Sequence, residues 1–143
     1  APPVMPDDIG ETPGDDDADD AGRDLALRLR KIMETSDEIY RHDFSLDSLA
    51  RLADAPSRKV SQAINSRGLN FSTFLQKYRV EEACRRLDDH EHYGRHTIEA
   101  ISESLGFKSR SNFISVFKKF TGITPSEYQK ISASRPADRE NAN

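Results

Sequence analysis

The sequence has a single cysteine, no tryptophan and no long apolar run. Cys84 alone excludes an intrachain disulfide framework and a cysteine-rich zinc module, and it fits a reducing cytoplasm. No stretch approaches the ~18 apolar residues of a membrane span, and no signal-peptide pattern follows Ala1. Because 35% of the 143 residues are hydrophobic and 32% are charged, a core can form in only part of the chain. The composition therefore predicts one cytoplasmic domain with tails, and a start at Ala rather than Met indicates a piece of a longer protein.

Acidic residues are concentrated at the N-terminus. Residues 1–24 hold nine acids and one base, a net charge of −8, whereas residues 25–143 hold 16 acids and 20 bases, a net charge of +4. Residues 1–23 have almost no large apolar groups, so we predict a disordered acidic linker there. The alternative is that this segment lies over basic faces of the body and competes with DNA. The body itself is basic enough for a nucleic-acid partner.

Apolar residues recur at helical intervals from Asp24 onward, and no stretch alternates with a period of two. The fold class predicted from this pattern is all-α. We expect an N-terminal amphipathic helix over 24–42 with Asp24 as its N-cap, a body over 43–131 and a flexible tail over 132–143. Helices of the body are predicted to follow N-cap residues, namely Ser45, Asn70, Thr97, Ser109 and Thr124.

The body contains an internal repeat. Residues 49–55 align with 101–107 at an offset of 52, and later segments align at offsets of 53 and 54. The offset changes in the turns, where insertions are tolerated. Each repeat reads as a helix-turn-helix followed by a glycine stop and a capped helix. We therefore predict a first helix-turn-helix at about 45–68, a linker helix at about 70–88, a second helix-turn-helix at about 97–121 and a C-terminal helix at about 125–131, with a polar loop over 88–96.

The outward faces of the second helix of each repeat contain no acidic residue. In the first repeat these residues are Ser57, Arg58, Lys59, Ser61, Gln62 and Asn65; in the second they are Arg110, Ser111, Asn112, Ile114, Ser115, Lys118 and Lys119. Arg, Asn, Gln and Ser are the residue types that contact base edges, and helix N-termini and hydroxyls favour phosphates. A linker helix of ~18 residues spans ~27 Å, comparable with the ~34 Å between successive major grooves. The pattern predicts double-stranded DNA as the partner, read in two adjacent major grooves; the alternatives are solvated faces, or a surface that docks RNA polymerase or a sensor domain.

Residues 45–131 resemble the C-terminal DNA-binding domain of AraC/XylS-type bacterial transcription regulators. The resemblance is strongest over 98–107, 111–113 and 117–128, and 78–83 resembles the start of that family's linker-helix motif. It implies about seven helices in two helix-turn-helix subdomains joined by a long linker helix, plus an extra N-terminal helix, and a sequence-specific regulator such as an activator. It also implies base-facing positions at Arg58, Ser61, Gln62, Arg110, Ser111, Asn112 and Ser115, with phosphate contacts expected at Ser57, Lys59, Asn65, Lys118 and Lys119. Asp54 and Pro56 depart from the family at the first turn.

The segment from Leu29 to Tyr40 resembles the helix that precedes this domain in family members attached to membrane-embedded sensors. A membrane would then be reached only through an upstream region that this chain lacks. The small-molecule-binding domain usual in the family is also absent, so we predict no ligand pocket.

Enzymatic and metal sites find no support in the sequence. There is no set of a nucleophile, a base and an orienting group, and no phosphate-cradling glycine loop, so we predict no enzymatic activity and no cofactor. His90, His92 and His96 lie in one polar loop, and with Cys84 they lack the spacing of a metal site. Cys84 is interpreted as a packing residue of the linker helix.

Overall fold

The computed structural model describes residues 16–134, and the regular secondary structure of this range is all helical, without a strand. Its elements are α1 (Asp16–Thr35), a 3-10 helix (Asp37–Tyr40), α2 (Leu46–Ala53), α3 (Ser57–Asn65), α4 (Phe71–Asp88), α5 (His90–Tyr93), α6 (Ile98–Ser104), α7 (Arg110–Thr121) and α8 (Pro125–Ala133). The all-α fold class is confirmed. The chain divides within α4 into an N-terminal unit up to Tyr78 and a C-terminal unit from Arg79 onward.

The N-terminal unit is built around the helix pair α2 and α3, with α1 packed against both. Leu25, Leu29 and Met33 recur along one side of α1 and are buried in the same core as Leu49 of α2 and Val60 of α3. A capping box at Ser45 begins α2, as predicted: its side chain accepts from the Ser48 amide, and the Ser48 hydroxyl accepts from the Ser45 amide.

α1 differs from the predicted N-terminal helix at both ends. It begins at Asp16 rather than at the predicted cap Asp24, so residues 16–23 of the predicted linker are helical, whereas residues 1–15 lie outside the described range. Carboxylates near a helix N-terminus interact favourably with the helix dipole, and Asp20 and Asp24 also pair with bases one turn later, at 3.9 Å to Arg23 and 3.3 Å to Arg28. α1 ends at Thr35 because Ser36, in an extended conformation, caps the 3-10 helix instead.

The C-terminal unit packs α6, α7 and α8 with the second part of α4. Its core includes Leu87 of α4, Leu105, which caps the C-terminus of α6, and the fully buried Phe113 and Phe117 of α7. The predicted caps Thr97, Ser109 and Thr124 are confirmed: each side chain accepts a hydrogen bond from a backbone amide of the first turn.

Two details of the C-terminal unit depart from the predicted boundaries. The expected polar loop over 88–96 contains the short helix α5, because the Asp89 side chain accepts from the His92 amide and caps it. α8 continues beyond Ile131 to Ala133, and Ser132, predicted to lie in a flexible tail, is 2% exposed and donates to Asp88 Oδ1 at 2.8 Å. The remainder of the predicted tail, residues 135–143, lies outside the described range.

Candidate nucleic-acid interface

The tight turn between α2 and α3 depends on a left-handed aspartate. Asp54 has φ 56° and ψ 47°, a conformation that aspartate adopts more readily than most residues. The amide of Ala55 donates to the Ala50 carbonyl at 3.0 Å, which closes the turn. Pro56 then caps α3 with its backbone alone, since its carbonyl accepts from the Val60 amide at 3.1 Å. Asp54 and Pro56 therefore build an ordered turn despite their departure from the family pattern.

The turn between α6 and α7 has the same hydrogen bonds around a glycine. Gly106 has φ 89°, its amide donates to the Glu103 carbonyl at 3.1 Å, and the Phe107 amide donates to the Ser102 carbonyl at 3.2 Å. These bonds join residues at the same sequence separations as the bonds of the first turn, shifted by the offset of 52. The predicted internal repeat is thus present in the backbone of both turns.

The outward face of α3 carries the side chains that the sequence assigns to DNA. Val60 and Ile64 are buried and fix which side of the helix faces inward. Arg58, Lys59 and Gln62 are exposed, and within residues 16–134 their side chains form no hydrogen bond or ion pair.

Three other predicted contact residues of α3 are partly engaged. Ser57 is half-buried, and its hydroxyl donates to Asp47 Oδ1 at 2.6 Å. Asn65 is exposed and its side-chain amide donates to the half-buried Ser61 hydroxyl at 3.5 Å. A phosphate contact from Ser57 would have to displace or share its bond with Asp47.

The outward face of α7 is longer, because this helix has 12 residues where α3 has nine. Its inward side is fixed by the buried residues Phe113, Val116 and Phe117. Asn112 and Ile114 are half-buried. The exposed predicted contact residues are Arg110, Ser111, Ser115, Lys118 and Lys119.

A row of aromatic rings holds α7 from behind. Ring centroids of Phe107 and Phe113 are 4.9 Å apart, those of Phe113 and Phe117 are 5.7 Å apart, and those of Phe117 and Tyr128 are 5.7 Å apart. The row ends where the Tyr128 hydroxyl donates to Asp88 Oδ2 at 3.0 Å. These rings are engaged in packing within the unit, so the outward face of α7 is polar and cationic rather than an aromatic stacking platform.

Two exposed basic residues adjoin these faces and were not predicted from the sequence. Lys108 lies in the turn just before α7, and Arg67 follows the last turn of α3. The first turns of α3 and α7 contain no acidic residue. Lys108 could have been predicted from the sequence, because it is a basic residue within the turn and the helix that follows has no acidic residue in its first turn.

The histidine-rich segment makes local contacts. His92 Nδ1 lies 3.0 Å from Asp89, and His90 Nε2 lies 3.2 Å from the Ser132 hydroxyl. Among the described residues, no group of three or more His, Cys, Asp or Glu side chains is arranged to hold a metal ion. A cavity of about 20 Å³ in the N-terminal unit, beside Leu29 and Phe74, has room for about one water molecule. None of the helices between residues 16 and 134 is both long and apolar enough to cross a membrane.

Comparison with known proteins agrees with this geometry. Residues 49–131 match a family described as a helix-turn-helix domain. The chain is 30% identical over 102 residues to the HTH-type transcriptional regulator GadX of Escherichia coli K12; the match covers 71% of this chain but only 35% of GadX. Among solved structures, an AraC-type transcriptional regulator from Chromobacterium violaceum matches 81% of this chain and 98% of its own, with a TM-score of 0.66 at 19% identity. The DNA-binding domain of AdpA, solved in complex with a target DNA, matches 78% of this chain and 96% of its own, with a TM-score of 0.61 at 23% identity.

Proposed function

Because this chain belongs to the AraC-type helix-turn-helix family of DNA-binding transcription regulators, we propose that it recognises double-stranded DNA sequence-specifically with the outward faces of α3 and α7. The observation that carries the proposal is the pair of acid-free faces, each placed after the same tight turn. Arg58 and Arg110 occupy the first turns of their helices, are exposed and have no side-chain partner within residues 16–134. An arginine in that situation can donate two hydrogen bonds to guanine.

Each of the two faces is expected to contribute both base contacts and phosphate contacts. Arg58, Ser61 and Gln62 would contact bases from α3, as would Arg110, Ser111, Asn112 and Ser115 from α7. Phosphate contacts are expected from Ser57, Lys59, Asn65, Lys118 and Lys119, with Lys108 added by its place in the second turn. The site on DNA would consist of two half-sites in adjacent major grooves, ~10 base pairs apart.

At the level of the whole protein, we propose that this chain is the DNA-binding output of a longer regulator. The chain spans about a third of the length of GadX. A contact with RNA polymerase, expected of an activator, and attachment to a membrane-embedded sensor stay predictions from the sequence.

The test begins by selecting bound duplexes from a random pool, which defines both half-sites. Arg58→Ala and Arg110→Ala should then each reduce discrimination at one half-site, because a bidentate contact to a base contributes ~1–3 kcal/mol, about 5- to 150-fold in affinity ratio. Arg23→Ala is the matched control, since Arg23 is an exposed base of α1. If the double variant Arg58→Ala/Arg110→Ala keeps full discrimination, the assignment of base contacts to these two faces is refuted.

Salt dependence separates DNA binding from the alternative of protein docking. Affinity should fall steeply with salt, and Lys118→Ala should lower the slope of log affinity against log salt by ~0.9 if Lys118 neutralises one phosphate. If micromolar protein fails to shift mixed duplex DNA at low salt, a protein-docking role for the two faces is favoured instead.

A further inference from the structure

Each of the two tight turns accepts a hydrogen bond from an arginine of a helix outside its helix-turn-helix. In the N-terminal unit, Arg28 Nη1 of α1 donates to the carbonyl of Ala53, the last residue of α2. In the C-terminal unit, Arg79 Nη1 of α4 donates to the carbonyl of Gly106 at 3.2 Å. Each contact therefore ties a tight turn to an earlier helix of the same unit.

The two arginines occupy similar positions in the sequence relative to their turns. Arg79 follows Arg28 by 51 residues, close to the offset of 52 between the turns themselves. The next residues, Leu29 and Val80, are both buried. Sequence similarity alone does not reveal that Arg28 and Arg79 correspond, because α1 and α4 otherwise share few identical residues.

The two contacts fix the backbone at the point where the chain changes direction. Carbonyls at the end of a helix have no partner within the helix, so a guanidinium that donates to one of them satisfies it and ties the turn to a second helix. A hydrogen bond from a charged donor is stronger than one from a neutral donor.

The two arginines are held to different degrees. Arg79 is 6% exposed, and its guanidinium lies 5.8 Å from the centroid of the Phe107 ring, the first ring of the row behind α7. Arg28 is more exposed and is held by Asp24, 3.3 Å away on the previous turn of α1. The second turn is therefore the more firmly anchored of the two.

We propose that Arg28 and Arg79 are positioning residues, each of which sets the orientation in which one recognition helix, α3 or α7, meets the DNA. α3 begins three residues after Asp54 and α7 four residues after Gly106, so any shift of a turn is carried into the helix that follows it. The proposal rests on the DNA recognition proposed above. Arg28 would affect recognition of one half-site and Arg79 that of the other, although neither residue lies on the outward face of α3 or α7.

The test measures discrimination separately at each half-site, once Arg58→Ala and Arg110→Ala have shown which half-site belongs to which helix. Arg28→Gln should reduce discrimination at the α3 half-site about tenfold, the size of one mismatched base pair, and leave the α7 half-site unchanged. Arg79→Gln should do the reverse. Arg23→Gln and Arg85→Gln are the matched controls: they remove the same charge from α1 and α4, and the side chains they replace pair with Asp20 and Glu82 rather than with a turn.

Loss of a buried arginine can unfold a domain, so Arg79→Lys is included. Lysine keeps the positive charge but lacks the planar fork of the guanidinium, so we expect a folded protein with a smaller loss confined to the α7 half-site. Circular dichroism and thermal unfolding establish the folded fraction of every variant, and affinities are corrected for it. If Arg79→Gln does not fold, Arg79→Lys and Arg28→Gln decide the question.

The outcomes separate this inference from the proposed function. Wild-type protein that binds DNA without any sequence preference would refute the proposed function and this inference with it. Selective wild-type protein whose arginine variants keep full discrimination at both half-sites would refute the positioning role alone. Equal losses at both half-sites, after correction for the folded fraction, would also refute it, because each arginine is proposed to act on only one of the two helices.

Discussion

At the scale of single residues, a polar cluster joins α8 to the end of α4. Asp88 accepts from the Tyr128 and Ser132 hydroxyls at 3.0 Å and 2.8 Å. Burial, together with the nearby Asp88 carboxylate, raises the pKa of the Cys84 thiol to about 11. The pKa of Tyr128 is also raised, first by burial and then by the charges of Cys84 and Asp88. Cys84 is therefore a neutral packing thiol, consistent with its interpretation from the sequence.

The shifted thiol predicts how stability depends on pH. The folded protein holds the Cys84 proton up to about pH 11, whereas the unfolded chain releases it near the ordinary pKa of 9.0. Between these values the unfolded chain binds fewer protons, so the free energy of unfolding should fall as pH rises. Cys84→Ala should flatten this fall in urea unfolding measured from pH 8 to 11. Tyr128 should leave a remaining decline above its ordinary pKa of 10.0, and an unchanged slope from pH 9 in the variant would contradict the assignment.

At the scale of elements, α3 and α7 start differently. α7 is capped by Ser109, whose hydroxyl accepts from the Asn112 amide at 3.0 Å, whereas α3 starts at Pro56 without a side-chain cap. Its first turn is instead held by the bond from Ser57 to Asp47 of α2. The N-terminus of α7 is thus fixed within its own helix, and that of α3 by a neighbouring helix.

Two serines at the start of α7, Ser109 and Ser111, should separate stability from DNA binding. Ser109→Ala should lower the free energy of unfolding by ~1 kcal/mol because it removes the cap. Ser111→Ala replaces an exposed residue, so it should change the free energy of unfolding by less than ~0.5 kcal/mol. It should nevertheless weaken binding to the selected DNA site. Urea unfolding and binding titrations of both variants test this, and a Ser111→Ala protein as unstable as Ser109→Ala would contradict it.

At the scale of the whole molecule, charge is distributed unevenly along the chain. Residues 1–15 hold four acids and no base, which accounts for the entire net charge of −4, since the 21 acids and 21 bases of residues 16–143 cancel. DNA is a polyanion, so an acidic segment on the same chain opposes its approach or competes for the same basic faces. The overall acidity of the chain is therefore a poor guide to its partner.

Removal of residues 1–15 should raise affinity for DNA severalfold at low salt while leaving α1 complete. The gain should shrink as salt increases, because the Debye length falls from ~30 Å at 0.01 M to ~10 Å at 0.1 M. The control keeps the length of the chain and replaces Asp7, Asp8, Glu11 and Asp15 with Asn or Gln, and it should reproduce the gain. Equal affinities of all three proteins at low salt would show that the segment has no electrostatic effect on binding.

The sequence by itself determined the helical class, the two tight turns, the acid-free faces and the helix caps at Ser45, Asn70, Thr97, Ser109 and Thr124. These features depend on residues within a few positions of each other: Ser109 and Asn112 form a cap, and Asp54 turns the chain by its own backbone conformation. The internal repeat reinforced each assignment because it appears twice. Local chemistry was enough to locate α3, α7 and their acid-free outward faces.

Only the tertiary structure decided which side chains of other helices form hydrogen bonds with the two tight turns. Arg28 meets Ala53 across 25 residues of sequence, and Arg79 meets Gly106 across 27, so no local pattern links either pair. The burial of Ser132 likewise depends on Asp88, 44 residues earlier. A hydrogen bond between distant residues forms only after packing has brought their helices together, and the sequence records the residues but not that proximity.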